Sequence, residues 1–269
     1  MTAFYHPLAP RTSLLVRIWR FRELLRGLVI RNLKVRYQRS ALGFFWTVIN
    51  PLLTVVILLA VFTYVVPIGV RHYWAFLLSG YFVWNFLVNT LNTSAFTIPD
   101  HADMVRSMVF PTETLVLGAI IARLIEYLMT LVLLALMIAL FHHRAIPSSF
   151  ALLPLLTALQ FLLAVGLALP IAALSVFFHD VQHALPVALT LLMYISPVFY
   201  PPHYVPAAVR SIYLLNPIAG VLALYQTVLY EGRLPSLPLL AEVTVMSILV
   251  CLVGHGVFRH YQAVFAERV

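Results

Sequence analysis

The chain has 269 residues, of which 62% are apolar and only 10% charged, against the roughly half apolar and quarter charged makeup of a water-soluble domain. This excludes an ordinary soluble fold, because apolar runs of about 20 residues, each enough to cross roughly 30 Å of hydrocarbon as helix, recur along its length. The formal charge of +8 is local, since nine of the 17 basic residues lie between Arg11 and Arg39 next to an apolar run, a placement that suits an anionic leaflet and argues against nucleic acid.

The first 40 residues are basic and interrupted, without the short apolar core and cleavage site of a secretory signal, so no removal is expected. Residues 13–38 carry Leu14, Ile18, Phe21, Leu25 and Leu28 at alternating spacings of four and three, with Arg17, Arg20, Arg31 and Lys34 on another face. The spacing predicts an amphipathic helix lying at the cytoplasmic headgroups, apolar side down. Six nearly uncharged spans follow, at 44–66, 73–97, 113–141, 150–178, 184–200 and 238–258. An even number returns the chain to its starting side. With both termini cytoplasmic, the inner segments hold 12 Lys or Arg and the outer ones four, Arg71, Arg144, Arg210 and Arg233, which satisfies the positive-inside rule. The expected fold is therefore an all-α membrane protein, a single domain over 1–269.

Two connections are more than turns. The segment 98–111 lies between Pro99 and Pro111, has Asp100 and Asp103 in its opening turn, where a helix dipole favours anions, and then Met104, Val105, Met108 and Phe110. It predicts a short cytoplasmic helix with an exposed apolar side. The segment 201–237 holds two apolar stretches, Val205 to Leu215 and Ile218 to Tyr230, split by Asn216-Pro217 and each too short to span. These predict re-entrant or interfacial outer helices, tolerable at membrane depth only when packed on protein or facing a watery cavity. The two halves show no internal repeat, unlike many secondary transporters.

No GxxxxGK[ST] phosphate loop, HExxH helix or GxSxG turn occurs, so any ATP that drives this protein is bound by another subunit. Arg123 and Glu126 stand three apart in the third span, each costing about 2.5 to 3.5 kcal/mol near mid-bilayer. They read either as a polar spot on a permeation path or interface, or as a mutually neutralising pair. His179, Asp180 and His183 could place two imidazoles on one turn for a metal, but a polar turn capping the fifth span explains them as well, and His142-His143-Arg144 reads as a hydrated outer loop. Tyr194, Phe199, Tyr200, Tyr204 and Tyr213 crowd the outer end of the fifth span, as an aromatic belt or as a stacking surface for sugar rings. The single cysteine, Cys251, provides neither a disulfide framework nor a CxxC pair.

The run Arg31-Asn32-Leu33-Lys34-Val35-Arg36-Tyr37, then Ser40-Ala41-Leu42-Gly43, Phe45-Trp46 and Asn50-Pro51, resembles the entry to the first span in ABC permeases that export polysaccharide or polyol phosphate. The similarity continues through Val109-Phe110-Pro111, Phe177-Phe178-His179-Asp180, Ser196-Pro197-Val198 and Leu215-Asn216-Pro217, and so covers about Leu14 to Tyr261. The chain departs from the pattern at Asn32, usually acidic, at His179, usually Arg, and at Gln226, where a basic residue often stands. The resemblance implies an inner-membrane homodimer joined to two separate ATPase subunits, which carry the ATP and magnesium while this chain holds no cofactor. It implies a lipid-linked polysaccharide as cargo, O-antigen before capsule or teichoic acid. It implies contact with the ATPases through the N-terminal helix and through Asp100, Asp103, Met104, Arg106, Met108 and Phe110. Trp46, Tyr194, Phe199 and Tyr200 become lining residues by the same analogy. A membrane-embedded enzyme of glycan assembly would need a cluster of acidic or His residues at one face, and a secondary transporter or channel would work without an ATPase.

Overall fold

The computed structural model describes residues 19–37, 43–65, 69–107, 110–143, 145–201, 204–205 and 216–268, and helix is the only regular structure among them. In chain order these are α1 (Arg22–Tyr37), α2 (Trp46–Ala60, prolonged by a π-helical turn Val61–Val65) and α3 (Tyr73–Thr97). A 3-10 turn (Pro99–His101) leads into α4 (Ala102–Ser107), then α5 (Glu113–Ile138) with a π turn at Ala139–His143. Next come α6 (Leu153–Phe177) and α7 (Asp180–Ile195). The outer segment forms α8 (Pro217–Tyr225) with a π turn at Gln226–Tyr230, and the chain ends in α9 (Leu237–Tyr261) and α10 (Phe265–Arg268).

Four described helices are long and apolar enough to cross a membrane: Tyr73–Thr97, Glu113–His142, Ser148–Phe177 and Leu237–Val264. The expected first and fifth spans are helices of 15 and 16 residues, α2 and α7. The fifth departs from its expected 184–200 bounds. It opens at Asp180, whose carboxylate sits in the first turn, and stops at Ile195 because Ser196 is extended; a following proline disfavours helical backbone at the residue before it, and Pro197 follows.

α3 is the central post and packs against α2, α5, α6, α7 and α8. The most extensive pairing is α6 with α9. Its crossing is set by two glycines, since a Cβ at Gly254 would strike the Gly166 carbonyl and one at Gly166 would strike the backbone at Val250 and Cys251. Close backbone approach at small residues is how membrane helices gain van der Waals contact where lipid offers no hydrophobic drive.

The N-terminal helix keeps its predicted faces. Leu28 and Val29 are buried and Phe21, Leu24 and Leu25 pack on the core, while Arg20, Arg31 and Lys34 are exposed. Part of the apolar side packs on α5: Leu28 sits against Gly118 and Arg36 reaches Glu126. Both pairs are 90 positions apart, so α1 climbs parallel to α5 for eight residues, about 12 Å of axis. Leu14, Arg17 and Ile18 lie outside the described residues.

Candidate functional site

The polar centre of the chain is assembled from three helices. Glu126 on α5 accepts from Arg36 on α1 at 3.1 Å and from Arg123, one turn earlier, at 3.2 Å. Arg123 also donates from Nε and Nη2 to the Thr93 hydroxyl on α3, at 2.9 and 2.6 Å. Exposure falls from 31% for the Arg36 side chain to 15% for Arg123 and 9% for Glu126. Two guanidiniums around one carboxylate leave the cluster with net positive charge. The pair read from spacing is therefore real but incomplete, and it stands halfway along α5, while its partner on α3 is close to a helix end. Thr93 lies four residues, about 6 Å of axis, from the end of α3 at Thr97, next to the 98–111 connection.

The ladder continues upward along α3. The Thr93 hydroxyl donates to the Asn89 carbonyl, and the Asn89 amide donates to Asn85 Oδ1. A line of hydrogen bonds thus runs from Arg36 to the middle of α3. Reading the sequence for charge and motifs passes over Asn85, Asn89, Asn92 and Thr93, although the signal is there: Asn85, Asn89 and Asn92 are spaced by four and three inside an uncharged span, one polar stripe on a helix.

At the same end, the 98–111 segment exposes Asp100, Asp103 and Arg106 and turns its apolar side inward. Val105 and Phe110 are buried and Met104 packs on the core, which corrects the expected exposed apolar face; Met108 lies outside the described residues. The apolar residues are taken up within the chain because α4 packs against α10, where the fully buried Phe265 meets Phe258 and Phe177.

On the opposite side the separated motifs meet. Asn216 caps α8 by accepting from the Ile218 amide at 3.0 Å and donates to the Ser196 hydroxyl at 3.2 Å. Gln226 is buried and donates to the Pro197 carbonyl. Ten of the fourteen residues of Pro217–Tyr230 are buried and none is exposed, the packing on protein that an apolar segment too short to span requires; most of the other stretch, from 206 to 215, lies outside the described residues. His142 is not a free loop residue: Nε2 lies 2.9 Å from the Tyr230 carbonyl, and its ring stacks on Tyr230 at 5.3 Å. A carbonyl only accepts, so Nε2 carries the proton.

Trp46 and Tyr194 are exposed, Tyr200 is partly buried and Phe199 is buried between Phe62 and Tyr194. Tyr194 and Tyr200 are joined, the Tyr200 hydroxyl donating to the Tyr194 carbonyl at 2.7 Å. His179, Asp180 and His183 are exposed at the start of α7, and no grouping of three metal-binding side chains occurs among the described residues.

The sequence pattern of the ABC-2 type transporter family matches residues 23–230. The chain is similar to the O-antigen export system permease protein RfbA of Myxococcus xanthus, 29% identical over 94% of this chain and 97% of the relative. It is similar to the protein of the same name in Klebsiella pneumoniae, 26% identical over 91% and 94%. The polysialic acid transport protein KpsM of Escherichia coli is 24% identical over 87% and 92%.

Proposed function

The chain belongs to the ABC-2 type transporter family, and on that premise we propose that it is the membrane permease of an ATP-driven exporter of a lipid-linked polysaccharide, O-antigen before capsule or teichoic acid. The observation that carries this reading is the similarity to O-antigen export permeases along nearly the full length of both chains. Two copies form the pore, with six spans each and both termini on the cytoplasmic side, the side favoured by the basic arm.

ATP and magnesium belong to the partner subunits, and this chain makes and breaks no covalent bond. ATP-driven closure of the ATPases pushes on the exposed Asp100, Asp103 and Arg106 of the 98–111 segment and on the basic face of α1. From α1 the displacement passes through Arg36 to Glu126 and Arg123 and so to Thr93 on α3, because an ion-paired, hydrogen-bonded contact moves as one piece. Trp46, Tyr194 and Tyr200 line the path as weak stacking surfaces, with Phe199 behind Tyr194.

The test is affinity purification of tagged protein in mild detergent, together with glycan analysis of a deletion strain. A stoichiometric P-loop ATPase partner and loss of surface polysaccharide on deletion are expected. A permease that stays dimeric yet brings down no nucleotide-binding chain would overturn the reading and favour a channel or a glycan-assembly enzyme.

A further inference from the structure

Asn85 and Asn92 of the polar stripe on α3 line an open cleft, and Asn89 stands between them in the stripe. Asn85, Asn89 and Asn92 fall within about 60° of one another around the helix axis. Asn89 is exposed and the other two are half-buried. Between α3 and α7 lies a cavity of about 190 Å³, lined by Tyr81, Asn85 and Asn92 on one wall and by Thr190 and Met193 on the other. Asn85 is at the midpoint of Tyr73–Thr97, so this is carboxamide at full membrane depth. Such groups cost several kcal/mol each against hydrocarbon, and in membrane proteins they face a watery cavity, a ligand or another chain.

The residues named along the cleft carry no formal charge and mix two kinds of surface. Amides offer donor and acceptor together, while Tyr81 and Met193 offer an aromatic and a thioether face. An ion would call for charge or a ring of carbonyls, and an acyl chain for an unbroken apolar wall. A neutral polyhydroxylated chain, with hydroxyls around its edge and C–H faces above and below, matches both surfaces. The charged cluster of Arg36, Arg123 and Glu126 stands below it, joined through Thr93.

We infer that Asn85, Asn89 and Asn92 form a hydrogen-bonding track on which the sugar hydroxyls of the exported glycan slide, with Tyr81 and Met193 as its stacking and packing contacts. This rests on the exporter reading. The bonds are made and remade with successive sugars and with water, so the track guides the glycan without holding it.

The test uses the full chain in cells with its ATPase partner, in three arms. A deletion strain first shows whether surface glycan depends on this gene at all; an unchanged glycan coat sinks the exporter reading and the track together, before any variant is scored. Where deletion removes the glycan, a triple Asn85→Leu, Asn89→Leu, Asn92→Leu variant is expected to lower surface glycan by about tenfold or more, because leucine offers no hydrogen bond to a passing hydroxyl. The level of assembled complex stays unchanged, and the Asn→Ser triple variant restores export. Full export by the leucine variant overturns the track and leaves the exporter reading standing. The third arm places Asn89→Cys in a Cys251→Ser background and adds a charged, membrane-impermeant thiol reagent to the assembled complex. Labelling at position 89, with none at a Leu133→Cys control on the exposed side of α5, supports a water-lined path. A disulfide between the two copies at position 89 without labelling makes the stripe a dimer seam and overturns the inference.

Discussion

α3 and α9 are both 25-residue helices able to cross a membrane, yet 72% of the most apolar stretch of α3 is buried inside the chain and only 17% of that of α9. The buried helix is the more polar one. It carries Ser79, Thr90 and Ser94 fully buried and the asparagine stripe beside them, whereas α9 turns Val245, Leu249, Leu252 and Val253 outward. In water the order is the reverse. Where the solvent is hydrocarbon, apolar side chains gain nothing by leaving the surface, and polar groups need the interior to find partners.

The largest expected break in that contrast is Glu126→Ala, which leaves Arg36 and Arg123 facing one another without their acid. Removing one member of a buried ion pair costs roughly 3–5 kcal/mol, and the partial exposure of Arg36 puts this variant near the lower end. A thermal unfolding midpoint in detergent that does not move would mean the cluster contributes nothing to holding α1 on α5. Next comes Leu252→Arg on the outward face of α9, expected to cost about 2.5–3.5 kcal/mol of insertion. The amount of membrane-integrated protein reports it, and normal integration would show that protein or water covers this face instead of lipid.

A smaller effect is expected from Gly254→Leu, about 1–3 kcal/mol of overpacking at the crossing with Gly166. It should release α9 while leaving the α3 cluster intact, which protease accessibility of the C-terminal end reads out; unchanged protection would deny the close crossing. The smallest is Leu249→Ala, an outward residue whose loss should change stability by less than about 0.5 kcal/mol. A larger fall in the unfolding midpoint would place a partner against it.

Helix positions are largely legible in the amino-acid sequence. The expected second span coincides with Tyr73–Thr97, and the third, fourth and sixth agree to within a few residues, since an uninterrupted apolar run bounded by proline or charge is local information. At the fifth span the apolar run continues through Ser196-Pro197 to Tyr200, but Ser196, restricted by the following proline, is extended and ends the helix, whereas Pro186 in the same helix does not. The site is legible only in pieces. Arg123 with Glu126 is one turn of one helix and can be paired from spacing, whereas Arg36 is 90 positions from Glu126 and Thr93 is 30 from Arg123.

Sequence alone makes this chain a helical membrane protein and sets where its long helices run and which face of α1 is apolar. Those properties depend on composition and on the 3.6-residue period. Tertiary packing decides what covers that face, that Met104, Val105 and Phe110 turn inward, and that Ser196 meets Asn216. Lipid tails and protein interior are equally apolar, so hydropathy cannot tell a lipid-facing surface from a packed one. Which polar groups meet depends on helix register and crossing, set by contacts between residues far apart in the chain.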